Sequence, residues 1–464
     1  MPPTPYRSEA ILPFIEYDTA GRLHIDGTSA AELASEYGTP LYIYSARALR
    51  ENFARLRAAF APVDPLLCYA LKACGNLSVI RELADAGAGM DVVSGGELER
   101  AWLSGVPMSK VVFAGVGKSE REILAALDGR FSLIGADRAG RDGGPASERG
   151  CVGLFNIESQ EECERIAMLA ERVGVQAKGC LRVNPDVDAH THKYTTTGKS
   201  ENKFGIDIPH VAPLFRGFAG HPHLHLTGLH VHLGSPIATA GPYAEAIGVL
   251  STLIDQLRDH GTPLTVLNIG GGYGVDYGKG APQTPEEFAS VLVPLLGPLV
   301  DRGMRIVMEP GRSIICHAGV LLSRVEYVKQ GRTKRFIVCD AGMHTLIRPS
   351  LYQAYHFVWP ANVRAEHAPR NMGENQPMPG LSACDVVGPI CESSDFLAQN
   401  RALPDVAAGD LLAVFCAGAY GMSMASTYND HPKPAEVMVE GGGGGAREIR
   451  PRGTEWDLIA TELM

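Results

Sequence analysis

The stretch LLCYALKACGN, residues 66–76, decides how the chain is read. Its apolar run has the length and texture of a buried strand, and a lysine, Lys72, stands at its end. Burying an ammonium group is expensive unless it is paired or neutralised. Lys72 therefore needs a partner or a chemical role.

Working outward, the same texture recurs. Short apolar or β-branched runs, LLCYALKA (66–73), GMDVVS (89–94), KVVFAG (110–115), GLFNIES (153–159), GCLRVN (179–184), LTGLHVHLGS (226–235), VLNIGGG (266–272) and RIVMEPG (305–311), alternate with helix-like segments. Examples of the latter are GGELERAWLSG, SQEECERIAMLAERVG and TPEEFASVLVPLLGPLVDRG. The last carries Glu286 and Glu287 in its first turn, where acidic groups favour a helix N-terminus. Roughly eight strand–helix units predict an α/β fold with a TIM-like (β/α)₈ barrel. Strand runs alone leave a doubly wound open sheet as the alternative. Polar and glycine residues collect at the strand ends, at Lys72, Ser94, Gly115, Asn184, His232, Gly270 to Gly272 and Glu309, which favours the barrel.

Past residue 315 the texture changes. GVLLSRVEYV, RFIVCD, DLLAVF and AEVMVE read as strands separated by turns, hence a mostly β C-terminal domain. RLHI and LYIY near the start could add strands to it. The expected division is 1–40 as N-terminal strands joining the β domain, 41–314 as the barrel and 315–464 as the β domain. Segments 135–150 and 364–380, rich in Gly, Pro and charge, read as surface insertions, and GGGGG at 441–445 as a flexible turn.

Composition narrows the function. The 464 residues are 45% hydrophobic and 20% charged, enough for two or more folding units. A net charge of −10 argues against a nucleic-acid partner. No apolar run approaches the ~20 residues of a membrane helix, and MPPTPYRSEA lacks the pattern of a secretory signal. Ten cysteines without a CxxC pair read as reduced thiols, with the cytoplasm as the expected compartment.

Two fragments, GVGKS (115–119) and TTTGKS (195–200), contain GKS, but positions 112 and 193 hold Val and Lys where a phosphate loop requires glycine. NIGGGYGV does not complete a dinucleotide fingerprint, because position 275 is Val. Gly270, Gly271 and Gly272, with the EPGRSI turn (309–314), could let backbone N–H groups approach a phosphate; tight turns alone are the other reading. Histidines crowd at HPHLHL (221–226) and HVH (230–232), with no Cys or carboxylate at ligand spacing, so no metal is expected. A His232 ring lying on a flat cofactor accounts better for the pattern.

A strand-end lysine, a carboxylate beside a glycine turn, a second glycine cluster and a strand-end histidine form the set that pyridoxal phosphate requires. A lysine bonds its aldehyde, a carboxylate keeps its ring nitrogen protonated, and amides take its phosphate. Burial among apolar neighbours would make such an amine nucleophilic.

YALKACGN, DVVSGGEL, FAGVGKS, NPDVDAHTHKYTTTGKSENKFGI, HVHLGS, NIGGGYGV, EPGRSI, DAGMHTLIRPSLY, VVGPICESSDFLA and GAYGMSMASTYN occur in that order. Together they resemble the diaminopimelate decarboxylases, within the alanine-racemase-like, fold-type III pyridoxal 5'-phosphate decarboxylases, over about residues 20 to 460. The resemblance implies that Lys72 bonds the cofactor, with Asp91 close by and His232 stacked on the ring. It implies a phosphate site built from Ser235, Gly270 to Gly272 and the turn Glu309, Pro310, Gly311 and Arg312, with Glu309 facing the pyridine nitrogen. Tyr420 would touch phosphate and substrate, while Arg312, Arg348 and Tyr352 would grip the substrate's distal end. Cys391, as proton donor, and Glu392, toward the distal ammonium, would come from the partner subunit of a homodimer. His190 and Lys193 depart from the usual pattern and leave loop geometry open.

The implied reaction is decarboxylation of meso-2,6-diaminopimelate to L-lysine and CO₂. A related decarboxylase of ornithine, arginine or carboxynorspermidine is the alternative. A cofactor-homeostasis barrel lacks the β domain and the CES segment, and a racemase needs a second acid/base that the sequence does not identify.

Overall fold

Each apolar run of the barrel segment is a strand, and each of the first seven is followed in sequence by a helix of the same unit. The structure, a computed structural model, describes residues 12–129, 150–188, 203–374, 376–442 and 445–463. The described chain divides into two compact units.

The first unit comprises Phe53–Gly274 and Pro282–Gly311. Its barrel strands are β1 (Leu66–Ala70), β2 (Gly89–Val92), β3 (Val111–Phe113), β4 (Leu154–Ile157), β5 (Ala177–Asn184), β6 (Leu224–His230), β7 (Val266–Asn268) and β8 (Arg305–Met308). Each pairs in parallel with the next, and β8 pairs with β1 to close the ring. The barrel expected from the strand–helix alternation is present. A two-residue strand, Ile206–Asp207, adds to β5 outside the ring.

Side-chain caps start the helices. Asn76 accepts from Ser78 N–H, Ser94 from Glu97 and Ser159 from Glu162, while Ser119 with Glu122 and Thr284 with Glu287 form capping boxes. Each cap satisfies orphan N–H groups that would otherwise cost about 1 kcal/mol. In a barrel of this kind the carboxyl ends of the strands form one functional rim. Inside, Cys68, Val112, Leu154, Cys180 and Val307 pack together. Phe113 and Phe155, both fully buried and 6.1 Å apart by ring centroid, contribute on the order of 2 kcal/mol each.

The second unit comprises the chain to Asn52, Val275–Ala281 and Arg312 onward. Its longest strand, Gly319–Gln330, pairs antiparallel with Leu41–Ser45, Arg335–Cys339 and Leu411–Val414. Leu41–Ser45 also pairs in parallel with Ala435–Val439, so its fully buried backbone and side chains belong to this sheet. The sequence division places residues 41–52 with the barrel; this pairing draws them into the β unit instead. RLHI contributes to a separate three-stranded sheet, Ile15–Tyr17, Leu23–Ile25 and Thr28–Ser29.

All ten cysteines are free. Among the described residues no helix is long and apolar enough to cross a membrane. His190, Lys193, TTTGKS and residues 135–149 of the first expected insertion lie outside the described residues.

Candidate active site

Strand β1 stops at Ala70, and Leu71–Ala73 form one tight 3₁₀ turn. Leu71 and Ala73 are buried, but the Lys72 side chain between them is 36% exposed. The apolar run thus predicts more burial for Lys72 than the structure shows, because the chain leaves the strand before the lysine and turns its side chain out of the core. The turn is pinned to the end of β8: Ala70 N–H donates to the Pro310 carbonyl at 3.0 Å. A Cβ on Gly311 would stand 3.1 Å from the Ala70 Cβ, so the EPG turn packs closely on β1.

Lys72 Nζ lies 3.3 Å from Asp91 Oδ2 on β2. Asp91 is fully buried, and its Oδ1 has no hydrogen-bond partner among the described residues. Burial pushes its carboxyl up to about 7, outweighing the attraction of Lys72.

Glu309, one residue past β8, is also buried. Its Oε1 accepts from Asn156 Nδ2 and Asn268 Nδ2 at 2.7 Å each, and its Oε2 lies 3.4 Å from His230 Nε2. Burial works against its charge, yet His230, Lys72 and His232 overcome it and hold the carboxyl well below the usual range. Two buried carboxyls near one lysine thus differ sharply in proton affinity.

His232 is half-buried, two residues past β6. Its Nδ1 accepts the Gly271 N–H at 3.2 Å. Burial and the charges of Lys72 and Arg182 push its pKa well down, so the ring is neutral.

The glycine turns are required by chain packing. A Cβ on Gly271 would lie 1.9 Å from the Glu309 carbonyl oxygen, and one on Gly272, at φ +110°, would lie 2.0 Å from that of Gly234. Three loops therefore meet backbone to backbone, beside half-buried Ser235. The Gly270 N–H donates to Asn268 Oδ1 and the Gly271 N–H to His232, so both amides have partners within the protein. The GVGKS lysine is a structural tie. Buried Lys118 Nζ donates to the Gly115 and Asn156 carbonyls and to Glu162 Oε1.

In the β-rich unit, Arg312 and Arg348 are both buried. Arg312 Nη1 donates to the Tyr277 hydroxyl at 2.6 Å, and its guanidinium stands 4.8 Å over the Tyr420 ring. Arg348 opens the short helix Arg348–Tyr352, which ends on half-buried Tyr352. Its guanidinium lies 5.1 Å from the Tyr277 ring centre, and its Nη1 lies 2.8 Å from His356 Nε2. Cys391 and Glu392 occupy an exposed loop. Cys391 N–H donates to Asn429 Oδ1, and Asp395 anchors the loop through Ile390 N–H and Met343 N–H. Hydrogen bonds from Ser394 and Tyr428 hold the Glu392 carboxyl below its ordinary value.

The structure thus gathers Lys72, Asp91, His232, Gly271, Pro310 and Glu309 in the barrel unit, and Arg312, Arg348 and Tyr420 in the β-rich unit. Asn156, Asn268, His230, Tyr277 and His356 escape the sequence reading. For the two asparagines a signal existed, since each is a polar residue within an apolar strand run, in FNIES and VLNIGG.

Residues 46–316 match the family of pyridoxal-dependent decarboxylases, pyridoxal binding domain. The chain is 39% identical to the diaminopimelate decarboxylase of Aquifex aeolicus over 431 residues, 93% of both chains. It is 42% identical to that of Neisseria meningitidis over 431 residues, 93% of this chain and 96% of the relative. It superposes with a TM-score of 0.81 on the diaminopimelate decarboxylase of Helicobacter pylori complexed with L-lysine, at 34% identity and covering 93% and 99% of the two chains.

The barrel residues fit a pyridoxal group. A lysine amine stands at one strand end, a buried carboxylate held ionised suits a protonated ring nitrogen, and a neutral imidazole suits a ring face. By sequence, structure and donor set, the chain belongs to the pyridoxal-dependent decarboxylases, in the diaminopimelate decarboxylase family.

Proposed function

We propose that the protein is a diaminopimelate decarboxylase, converting meso-2,6-diaminopimelate to L-lysine and CO₂ with pyridoxal 5'-phosphate. The cofactor, when bound, supplies the electron sink for loss of the α-carboxylate. Lys72 is the amine that holds it. Asp91, accepting from Lys72 Nζ at 3.3 Å, positions that side chain at the end of β1. Glu309 keeps a negative charge where the ring nitrogen would sit, its orientation set by Asn156 and Asn268. His232 offers a neutral face. Ser235, Gly270 to Gly272 and the turn from Glu309 to Arg312 hold the phosphate, with Tyr420 beside it. The Gly270 and Gly271 amides have protein partners, so in this reading they carry less of that contact.

The observation that carries the substrate choice is the pair of buried guanidiniums, Arg312 and Arg348, sharing Tyr277. Two buried guanidiniums supply the positive charge and the planar donors that a distal carboxylate would require. Ornithine and arginine carry no distal carboxylate, and their terminal cations would be repelled there. Tyr352 completes the distal grip. Cys391 donates the proton to the decarboxylated carbon, and Glu392 takes the distal ammonium.

Both Cys391 and Glu392 are exposed on the single chain. This supports a homodimer in which each subunit completes its partner's site. The free thiols support a cytoplasmic location.

The test is CO₂ release from diaminopimelate, lysine, ornithine and arginine by the purified enzyme. The reading requires strong preference for diaminopimelate; a preference for a diamino acid lacking the distal carboxylate contradicts it.

A further inference from the structure

The loop that presents Cys391 and Glu392 closes around Asp395, whose side chain turns inward and is 4% exposed. Its Oδ2 accepts the Ile390 N–H at 2.7 Å, and its Oδ1 accepts the Met343 N–H at 2.6 Å. The Asp395 N–H donates in turn to the Glu392 carbonyl at 3.0 Å, so residues 390–395 fold into one tight turn over the carboxyl group. A Cβ on Gly342 would stand 2.5 Å from Oδ1, and one on Gly388 would stand 2.6 Å from Oδ2. The backbone therefore approaches Asp395 closely from two sides. Burial raises the pKa of Asp395, and the two amide bonds oppose the rise.

A second tether reaches the cysteine itself. Asn429 Oδ1 accepts the Cys391 N–H at 2.9 Å, with Asn429 in the left-handed region at φ 54°. Asparagine tolerates that backbone and still offers an acceptor, which glycine does not. The Ser394 carbonyl takes a further bond, from Ser350 Oγ at 2.5 Å, on the short helix Arg348–Tyr352. A buried group thus fixes the backbone beneath an exposed, free thiol.

We propose that Asp395, with Asn429, is a positioning residue that sets the Cys391 thiol for proton delivery in the partner's site. The inference rests on the reading that Cys391 is the proton donor of a site shared across a homodimer. Asp395 touches neither substrate nor cofactor in that reading, and acts only through the backbone of residues 390–392. Both of its oxygens are needed. Asp395→Asn keeps the shape but turns one acceptor into a donor that faces a backbone N–H.

The test uses the holoenzyme carrying Asp395→Asn, Asn429→Gly or Asn429→Asp. Glycine keeps the left-handed backbone and removes the acceptor, while aspartate keeps the acceptor. Displacing a reacting group by about 1 Å can cost roughly a hundredfold, so Asp395→Asn and Asn429→Gly should lower kcat for diaminopimelate roughly ten- to a hundredfold, with cofactor absorbance retained. Asn429→Asp should stay close to wild type. Subunit mixing then separates positioning in the partner's site from damage to the chain's own site. Asp395→Asn chains, denatured and co-refolded with cofactor and an equal amount of Lys72→Ala chains, should recover about a quarter of wild-type activity. The hybrid dimer joins an intact Lys72 to a Cys391 loop with an intact Asp395.

Wild-type kcat in Asp395→Asn overturns the proposal, and so does a failure to recover beside Lys72→Ala. An Asn429→Asp enzyme as slow as Asn429→Gly counts against it equally, since the bond to Cys391 would then not be the cause. Where Asp395→Asn does not fold, Asn429→Gly decides by the same two criteria. Cys391→Ala co-refolded with Lys72→Ala is the parallel control. If that pair fails to recover, the shared-site reading itself is contradicted and the proposal falls with it.

Discussion

The Lys72 ammonium stands 3.3 Å from the Asp91 carboxylate, and that carboxylate is wholly buried. Attraction to Lys72 lowers the acid's pKa while burial raises it, and burial prevails, at about 7. The folded protein therefore holds a proton on Asp91 that the unfolded chain releases near 4. Stability from this group is full below the unfolded pKa and is lost as pH rises through about 7. In cofactor-free protein, Asp91→Asn removes that loss. Its stability relative to wild type, read from thermal unfolding, should climb from pH 5 to about pH 7, by at most about 1.4 kcal/mol per pH unit, and level off above. His232 and His356 are present in both proteins and cancel in the difference. A pH-independent difference contradicts the assignment.

Glu309 is the opposite case, a buried acid kept ionised by its cationic surroundings. Glu309→Gln keeps the shape and loses the charge. We expect kcat to fall by roughly a hundredfold or more, as when one preorganised electrostatic group is removed from an active site. KM should change little, because in the proposed reading Glu309 faces the cofactor and not the substrate. Comparison of kcat with KM checks both statements.

Lys118 separates structure from chemistry. Its side chain is 1% exposed and its ammonium ties the Gly115 and Asn156 carbonyls to Glu162. Lys118→Met should strand the Glu162 charge and cost about 3–5 kcal/mol in denaturant unfolding. Cofactor absorbance of the folded variant should match wild type, which a phosphate-binding lysine would not allow.

Cys391 tests the shared site. Lys72→Ala and Cys391→Ala should each be nearly inactive as pure proteins. If each site takes Lys72 from one subunit and Cys391 from the other, denaturing and co-refolding equal amounts should restore about a quarter of wild-type activity, from hybrid dimers with one intact site. No recovery contradicts a site built across two subunits. Because Cys391 is exposed on the single chain, its replacement should shift stability by less than about 0.5 kcal/mol.

The barrel was legible because its strands are continuous apolar runs and its polar residues gather at their ends. That periodicity is local, and it located Lys72, His232 and Glu309 at strand ends. What escaped was long-range. LYIY could add a strand to the β domain yet falls within the 41–314 barrel division, and only its partners, 275 to 394 residues downstream, decide that it joins the β sheet. Tyr277 reads as the tail of a glycine turn, because the arginines and histidine it contacts lie 35 to 79 residues further on. Lys72 reads as buried because its neighbours are apolar, whereas a single 3₁₀ turn exposes it.

The claim on which the rest depends is that Lys72 is the amine bonded to the cofactor. Borohydride reduction of the holoenzyme, proteolysis and mass spectrometry measure this directly. A pyridoxyl group is expected on the peptide containing CYALKACGN, at Lys72, and none in Lys72→Ala. A stoichiometric adduct on Lys118 or any other lysine of the wild-type enzyme would show the assignment to be wrong.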